Sequence, residues 1–264
     1  MMTTAIIGAG NMGSALFKGL QQSVGSDGVY LCDHNEEKLA IAESNHRFTD
    51  TLEATKEVGC VVLAVKPQSF AGLMQDVGDA WSSKLIVSVM AGIPLSRLQQ
   101  LTGSRHVVRS MSNLGAKIRR AVTGWCASAD VSGEERKHVK SLFCAIGMSI
   151  ELESEDKIDA FTAIAGSGPA YVFGLAELLQ NAAKRLGFSN DDSANVATEV
   201  IAAGSQLLDE RAMSASEWRK AVTSKGGVTE AAISVLAEKK LSEIFDDALE
   251  AGALRSRSLS SEHE

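Results

Sequence analysis

Short apolar runs alternate with longer amphipathic stretches over the first 150 residues of the chain. The apolar runs contain few polar positions, which is typical of strands that are buried on both faces of a parallel sheet. Strands are predicted at 5–7, 29–31, 61–65, 85–89, 106–109, 121–126 and 148–150. Helices are predicted between them, over 36–44, 68–77 and 132–144 among others. This order predicts an α/β domain with a doubly wound sheet over residues 1–150.

Beyond about residue 151 the strand pattern stops, and apolar residues recur at helical spacing. One apolar stripe runs from Val172 to Leu186, and Gly187 is typical of a helix end. A second stripe, from Ala197 to Leu208, is apolar on more than one side. Further helices are predicted at 214–222, 229–237 and 241–254, and the polar tail 256–264 is predicted to be disordered.

The second stripe also predicts an assembly. It contains the small residues Ala202-Ala203-Gly204, which suggest close packing on most sides. An all-α region of roughly 100 residues cannot easily bury such a helix by itself. We therefore expect residues 151–255 to form a helical dimerisation domain and the protein to be a homodimer, with a higher oligomer of dimers left open.

The composition agrees with a globular protein and excludes several functional classes. Of the 264 residues, 45% are hydrophobic, and the mean hydropathy is +0.02. The net charge is −7 without a basic cluster, so no nucleic-acid partner is expected. No run approaches the roughly 20 apolar residues of a membrane span, and no secretory signal precedes the first strand. Four isolated cysteines lack metal-ligand spacing and suit a reducing compartment, so we expect a cytoplasmic protein without a bound metal.

A glycine-rich turn near the N-terminus is the strongest indication of function. Gly8-Ala9-Gly10-Asn11-Met12-Gly13 reads G-x-G-x-x-G between an apolar strand and a predicted helix. In this context Gly8 permits the turn, Gly10 lets the backbone approach a pyrophosphate, and Gly13 lets the helix pack closely. The helix N-terminus adds free N–H groups for the phosphates. The motif predicts a dinucleotide site in a Rossmann-type sheet; the alternative is an ordinary glycine turn.

Other candidate cofactor residues follow neighbouring strands. Asp33 ends the second strand about 20 residues after the glycines, where an acid can bind a ribose hydroxyl. Ala64-Val65-Lys66-Pro67, Ala91-Gly92 and Arg109-Ser110-Met111-Ser112-Asn113 follow the next three long apolar runs. Ligands of open α/β sheets lie beyond the carboxyl ends of the strands, so these segments should share one rim. Asn113 is then placed where a nicotinamide would lie, although Lys66 and Asn113 also suit an ordinary surface lysine and turn asparagine.

Two glycine-containing turns precede helices in the second half of the chain. Gly166-Ser167-Gly168-Pro169 permits close backbone approach, and its proline suits a first helical turn. Val222-Thr223-Ser224-Lys225-Gly226-Gly227-Val228-Thr229 presents hydroxyls and N–H groups at a helix N-terminus, which suits a carboxylate. Taken alone, each is also explained as a capped helix start, with a serine or threonine as the cap.

Together these motifs resemble those of pyrroline-5-carboxylate reductase, the last enzyme of proline biosynthesis. G-A-G-N-M-G, A-V-K-P, R-x-M-x-N, G-S-G-P-A-Y and V-T-S-K-G-G-x-T occur in the family's order within residues 4–254. The resemblance implies a Rossmann domain, a helical dimerisation domain with interlocked subunits, and a site shared across the dimer. It also implies hydride transfer from NADPH or NADH to the C=N carbon of a cyclic imine.

The resemblance and the motifs together assign the site residues. The residues expected to bind the cofactor are Gly8, Gly10, Asn11, Met12, Gly13, Asp33, Ala64, Val65, Lys66 and Pro67. Those expected to bind the substrate are Gly226, Gly227, Asn113 and Ser167. The resemblance implies that the substrate carboxylate lies on the 224–227 loop. Ser224 and Thr229 are the expected catalytic residues, and the Thr229 hydroxyl would face the ring nitrogen.

Three departures from the family pattern are present. Ser112 stands where the family has proline in R-x-M-P-N, and Val228 replaces a residue that is often threonine. Arg211-Ala212-Met213-Ser214-Ala215 occupies a region in which the family often has a glutamate and a proline.

The residues and the resemblance point to different cofactors, because a carboxylate at Asp33 opposes a 2′-phosphate, whereas the resemblance favours NADPH. NADPH is favoured slightly over NADH.

Two other hypotheses stay open. A related two-domain 3-hydroxy-acid dehydrogenase would carry a catalytic lysine on its long interdomain helix, and Lys184 lies too far from the Gly-Ser-Gly turn to fit well. A catalytically weak nucleotide-binding paralogue is suggested by Ser112 and Leu114-Gly115. The reductase agrees better with the five scattered histidines, at 34, 46, 106, 138 and 263, because a protonated imine accepts hydride without a strong protein acid.

Overall fold

The computed structural model describes residues 2–25 and 27–262. The chain divides into two compact units, one comprising Met1–Ser167 with Glu250–Glu264 and the other comprising Gly168–Leu249. We call them the sheet unit and the helical unit and describe each by itself. The domain boundary near residue 150 remains a prediction, since the sheet unit extends past it to Ser167.

The described part of the sheet unit contains an eight-stranded sheet in the order β3-β2-β1-β4-β5-β6-β7-β8. Its strands are β1 Thr4–Ile7, β2 Val29–Cys32, β3 Arg47–Phe48, β4 Cys60–Leu63, β5 Leu85–Ser88, β6 Val107–Met111, β7 Ala121–Ala127 and β8 Gly147–Glu151. Neighbouring strands are parallel except for the antiparallel pair β6 and β7. All seven predicted strands are present, and the doubly wound sheet is confirmed. The strand order reverses between β1 and β4, where such sheets bind ligands.

Between β2 and α2 the structure differs from the sequence prediction, because a predicted helix is absent and an unpredicted short strand, β3, is present. The stretch predicted as a helix over 36–44 forms two short 3₁₀ turns, Glu36–Ile41 and Ser44–His46, before β3. The Asn35 side chain accepts a hydrogen bond from Glu37 N–H at 2.9 Å and starts the first turn. Ala42 then adopts extended dihedral angles, φ −113° and ψ 146°, which end the turn as this side chain enters the core.

Helices and a few tighter turns connect the strands of the sheet unit. The helices are α1 Asn11–Val24, α2 Thr51–Thr55, α3 Pro67–Val77, α4 Leu95–Thr102, α5 Gly133–Cys144 and α6 Lys157–Phe161. A 3₁₀ turn occupies Leu114–Ile118, and a π-helical turn occupies Thr162–Gly166. Ser132 and Glu135 form a reciprocal capping box that begins α5 at the predicted place.

The core lies on both faces of the sheet, which explains the continuous apolar runs. Successive residues of a strand point to opposite faces. In β1, Ile6 packs into one buried cluster with Phe17 and Trp125, whereas Ile7 packs into the other with Trp81. A strand covered on both sides has no solvent face, and therefore no polar alternation.

The C-terminal helix is longer than predicted. Helix α11 runs over Leu241–Ser261, so residues 256–261 are helical where the sequence predicted a disordered tail. Two serines one helical turn apart explain this difference. Ser256 Oγ donates to Asp159 Oδ1 at 2.8 Å, and Ser260 Oγ accepts from Arg109 Nη2 at 2.8 Å. Residues 263 and 264 of the predicted tail lie outside the described residues.

The helical unit contains the predicted succession of helices. They are α7 Gly168–Arg185, α8 Asn190–Asp209, α9 Ala215–Ala221, α10 Val228–Glu238 and the first part of α11. Large apolar side chains remain exposed on this unit in the single chain, among them Phe173, Leu178 and Val200. Such a surface is typical of an interface between chains. Across residues 2–25 and 27–262, none of the helices combines the length and apolar character needed to span a bilayer.

Candidate functional site

The glycine motif forms the predicted tight turn between β1 and α1. Gly8 has φ +105°, and a Cβ there would stand 2.6 Å from the Ala64 carbonyl oxygen. A Cβ at Gly13 would overlap the Gly8 carbonyl oxygen, so α1 packs directly against the turn. Larger residues at either position would push the helix away from the strands. The turn therefore requires glycine for close approach, as the sequence predicted.

The N-terminus of α1 is open to a ligand. The helix starts after Gly10, which caps it without a side-chain hydrogen bond. The first intrahelical bond runs from Ser14 N–H to Gly10 O at 2.9 Å, so the N–H groups of Asn11, Met12 and Gly13 precede it. No atom lies within 4 Å of the place where a Cβ on Gly10 would stand. These features form a concave anion-binding position at a helix dipole.

Asp33 is fixed beside this turn as an ionised carboxylate. It accepts hydrogen bonds from Ala9 N–H at 2.8 Å and from Asn35 N–H at 3.0 Å, and Lys38 Nζ lies 3.4 Å away. Burial alone would raise the pKa of this carboxyl. The two backbone hydrogen bonds and the Lys38 charge outweigh burial and hold the pKa below its usual value. Asp33 is therefore negatively charged at neutral pH.

A cleft of about 770 Å³ joins most of the predicted cofactor residues. The predicted residues that line it are Gly8, Gly10, Asp33, Ala64, Val65 and Lys66. Pro67 is not among the lining residues; it begins α3, as a proline at a first helical position should. The volume lies in the range of small-molecule and cofactor sites. The sheet thus gathers residues that are far apart in sequence at the carboxyl ends of β1, β2 and β4.

Several lining residues of the cleft were missed by the sequence reasoning, among them three consecutive ones. Thr49, Asp50 and Thr51 follow β3, whose two residues are too few to give an apolar pattern. The available indication was the start of α2. Asp50 caps that helix by accepting a hydrogen bond from Glu53 N–H at 2.8 Å, a spacing that is readable in the sequence.

Asn113 lies at the predicted rim, at the end of β6, but the hydrogen bonds of its side chain go to backbone atoms. Its Nδ2 donates to Ala165 O at 2.9 Å, and its Oδ1 accepts from Gly115 N–H at 3.1 Å. A longer bond of 3.4 Å joins Oδ1 to Val122 N–H. In the structure Asn113 ties the end of β6 to the π-helical turn that precedes Ser167. Its predicted contact with substrate stays a prediction.

Ser112 is held where the family pattern has proline. Its buried hydroxyl lies 2.8 Å from the Thr123 hydroxyl on β7. A hydrogen bond from the residue after β6 to β7 thus restrains the loop that a proline ring would restrain through φ. This arrangement weakens the argument that the departure at Ser112 makes the protein a poor catalyst.

A second cavity, of about 240 Å³, lies at the ends of β5 and β6. Its lining includes Ala91, Gly92 and Met111, which belong to segments that the sequence predicted to share a rim, and also Ser167. Buried Arg109 also lines it and donates to Glu155 Oε1 at 2.8 Å. Residues of α11 form another side of the cavity, and no local sequence pattern indicated that this helix returns to the sheet unit.

The turn before α10 presents the expected glycines and hydroxyls within the helical unit. Gly226 has φ +71°, and Gly227 N–H donates to Ser224 O at 3.0 Å. A Cβ on Gly227 would collide with Ser224 Oγ, so the serine hydroxyl lies directly against the second glycine. Half-buried Thr229 is the second residue of α10. We call residues 224–227 the glycine turn of α10.

The N–H groups of this turn are arranged differently from the expectation. The sequence predicted that Gly226 and Gly227 bind the substrate, but Gly226 N–H donates to Glu230 Oε2 at 2.7 Å and Gly227 N–H donates within the turn. The first intrahelical bond of α10 is Ala231 N–H to Gly227 O at 3.2 Å. The N–H groups of Val228, Thr229 and Glu230 precede it at the helix end, where the dipole favours an anion.

Comparisons with protein families match both halves of the chain. Residues 155–259 match the family model described as pyrroline-5-carboxylate reductase dimerisation. Residues 3–92 match the family model described as NADP oxidoreductase, coenzyme F420-dependent. The two models therefore cover the region of the glycine motif and the helical unit separately.

Whole-chain comparisons give one consistent family. Pyrroline-5-carboxylate reductase of Pseudomonas aeruginosa is 34% identical, covering 97% of this chain and 96% of the relative, and that of Staphylococcus saprophyticus is 32% identical over 100% of both. The solved pyrroline-5-carboxylate reductase of Coxiella burnetii has a TM-score of 0.92 at 30% identity, covering 98% of both chains. The Plasmodium falciparum pyrroline carboxylate reductase, solved with NADP bound, shares the fold with a TM-score of 0.82 at 23% identity, over 98% of both chains. The chain therefore belongs to the pyrroline-5-carboxylate reductase family.

Proposed function

We propose that this protein reduces 1-pyrroline-5-carboxylate to L-proline by hydride transfer from NAD(P)H. The observation that carries the proposal is the presence, in one chain, of two separate helix N-termini that follow glycine-containing turns and could each hold an anion. The N-terminus of α1 opens onto a dinucleotide-sized cleft, and the N-terminus of α10 follows a turn of hydroxyls and glycines. The names of the relatives at 32–34% identity support the same activity.

The cofactor fits the cleft at β1, β2 and β4. Gly10 leaves open space where its side chain would be, and the N–H groups of Asn11, Met12 and Gly13 would hold the pyrophosphate. Asp33 would accept hydrogen bonds from a ribose, and the backbone of Ala64 to Pro67 would border the cofactor. The bound dihydronicotinamide supplies the hydride.

The substrate carboxylate would lie at the N-terminus of α10. The Ser224 hydroxyl and the N–H groups of Val228 and Thr229 would donate to it. The Thr229 hydroxyl would hold the protonated ring nitrogen in place. Because the substrate enters as a cation at nitrogen, its carbon accepts hydride without proton transfer from the protein, and the residues contribute orientation and electrostatic stabilisation.

The choice between the two cofactors depends on the rim near Asp33. NADPH is the proposed cofactor because the family resemblance favours it, and a Plasmodium relative was solved with NADP bound. The Asp33 carboxylate opposes the 2′-phosphate of NADPH, whereas Lys38 lies 3.4 Å from Asp33 and offsets part of that charge. NADH is the second candidate.

The proposed assembly is a homodimer with a site shared between subunits. The family model that covers residues 155–259 describes dimerisation, and the helical unit exposes large apolar side chains. A partner chain would bury them. We further propose a cytoplasmic location, a small molecule as the partner apart from the second subunit, and neither nucleic acid nor membrane as a ligand. Further association of dimers is the remaining alternative.

The direct test is steady-state oxidation of NADPH and of NADH with pyrroline-5-carboxylate as acceptor. The proposal expects saturable turnover that depends on the imine. A folded protein that binds dinucleotide but turns over neither mixture would contradict it and would favour the non-catalytic alternative.

Thr229→Ala tests the substrate site in the same assay. We expect kcat/KM for the imine to fall by about 10- to 1000-fold, because a buried hydrogen bond to the ring nitrogen is lost. Thr198→Ala, in which an exposed threonine of α8 is changed, is the matched control and should retain wild-type kinetics. An unchanged kcat/KM in Thr229→Ala would remove this residue from the site.

A further inference from the structure

A carboxylate from the first turn of α10 folds back onto the turn that precedes the helix. Glu230 Oε2 accepts a hydrogen bond from Gly226 N–H at 2.7 Å. Glu230 is the third residue of α10, and Gly227 is the N-cap. In a capping box the glutamate at this position accepts from the N-cap residue itself; here it reaches one residue further along the turn. Its bond therefore holds the glycine turn and not only the helix end.

Gly226 is the residue of the turn that most needs such support. Its φ of +71° is left-handed, and glycine loses more conformational freedom on ordering than any other residue. No atom lies within 4 Å of its Cβ position, so side-chain packing does not fix it there. The hydrogen bond to Glu230 is the contact that links this N–H to a regular element. Loss of the bond would free the turn without removing any group that contacts the substrate.

The same bond decides which donors remain for an anion. Glu230 occupies Gly226 N–H, and Ser224 O occupies Gly227 N–H. The donors left at the end of the helix include the Ser224 hydroxyl and the N–H groups of Val228 and Thr229. Ser224 Oγ lies against Gly227, so its position depends on the conformation of the turn. A change in the turn would therefore move the hydroxyl relative to the helix end.

We propose that Glu230 is a positioning residue for the substrate carboxylate. It keeps the glycine turn closed, so that the Ser224 hydroxyl and the helix N–H groups face the same anion. This inference rests on the proposed function, since it assigns the carboxylate of pyrroline-5-carboxylate to that position. Glu230 acts on binding, through the turn, and leaves hydride transfer itself unchanged. The hydrogen-bond acceptor is the property that matters, and its negative charge is not required.

Three variants of the full-length protein test this role. Glu230→Ala removes the acceptor, Glu230→Gln keeps an acceptor oxygen without the charge, and Glu238→Ala changes an exposed glutamate at the other end of α10. We expect Glu230→Ala to raise KM for pyrroline-5-carboxylate by about 10-fold while kcat stays within about 3-fold of wild type. Glu230→Gln and Glu238→Ala should both keep KM within about 3-fold of wild type.

Other results would overturn the role of Glu230. The role would be contradicted by an unchanged KM in Glu230→Ala, or by a fall in kcat as large as the rise in KM. It would also be contradicted if Glu230→Gln were as impaired as Glu230→Ala. Hydrogen–deuterium exchange of the peptide containing residues 223–230 gives a readout that needs no turnover. Exchange there should be faster in Glu230→Ala than in Glu230→Gln, with residues 95–102 of the sheet unit unchanged. Wild-type protein without turnover would instead contradict the proposed function, and with it the substrate assigned to this turn.

Discussion

At the scale of single residues, polar side chains near the two candidate sites are held by hydrogen bonds to particular backbone atoms. Asn113 was placed at the end of a strand, and it lies there. Its amide, however, donates to Ala165, which is 52 residues away along the chain. Likewise, the spacing of Gly226 and Gly227 gave the turn but not the bond to Glu230. A motif predicts the position of a residue within a strand, turn or helix. The partners of its side chain depend on tertiary packing, which a single sequence does not reveal.

Asp33 gives the clearest residue-scale prediction. Replacing the carboxylate with a serine hydroxyl removes a negative charge from the rim of the cofactor cleft. We expect Asp33→Ser to raise the ratio of kcat/KM for NADPH to that for NADH by about 10-fold, since like charges are no longer opposed. The ratio of the affinities for NADPH and NADH, measured by fluorescence titration, should shift toward NADPH as well.

The matched control for Asp33 is Asp79→Ser, a carboxylate outside the residues that line the cofactor cleft. Its NADPH to NADH ratio should equal that of the wild-type protein. An unchanged ratio in Asp33→Ser would mean that this carboxylate does not face the ribose 2′ position.

At the scale of secondary-structure elements, the strands were predictable because their physics is local. Strands covered on both faces, such as β1, β4 and β5, are almost entirely apolar, which made them recognisable. In all, seven of the eight strands in the described sheet were predicted, including β8, which is largely exposed. β3 has two residues and gives no such pattern. The extension of α11 was missed because its last turns are polar. They are stabilised by the distant Arg109 and Asp159, which local hydropathy does not reveal.

The packing of α5 against β1 predicts a dependence of stability on pH. His138 on α5 lies 3.1 Å, through Nε2, from Thr4 Oγ1, and its buried Nδ1 has no hydrogen-bond partner. Burial lowers the pKa of His138 to about 4. The unfolded chain binds a proton near pH 6.5, before the folded protein does. His138 therefore costs no stability above about pH 6.5. Below that pH the free energy of unfolding falls toward pH 4, by at most about 1.4 kcal/mol per pH unit.

Denaturant unfolding at about pH 7 and about pH 5 measures this effect above the range in which most carboxylates titrate. His138→Gln retains a donor toward Thr4 but cannot titrate. Its free energy of unfolding should therefore decrease less than that of the wild-type protein when the pH is lowered from about 7 to about 5. Equal losses in the variant and the wild-type protein would show that His138 is not the group responsible.

At the scale of the whole molecule, the exposed apolar side chains of the helical unit predict that dimerisation and turnover are lost together. We expect the double variant Phe173→Glu/Leu178→Glu to be monomeric in light scattering, because both side chains are more than half exposed in the single chain. It should still bind dinucleotide through the sheet unit, but reduce the imine at least about 100-fold more slowly. The control Lys140→Glu changes an exposed residue of α5 and should remain an active dimer.

A fully active monomer would contradict the shared site, and a persistent dimer would exclude this surface as the interface.

The return of α11 to the sheet unit has a consequence for how the chain is made. The sheet unit combines Met1–Ser167 with Glu250–Glu264, and the helical unit is inserted between them. During synthesis Arg109 can meet Glu155 early, but Ser256 and Ser260 are made only after the whole helical unit. The sheet unit, which carries the glycine motif, is therefore completed only after the helical unit has been synthesised. A chain whose synthesis stopped within the helical unit would contain the whole glycine motif but would lack the part of α11 that supports the sheet.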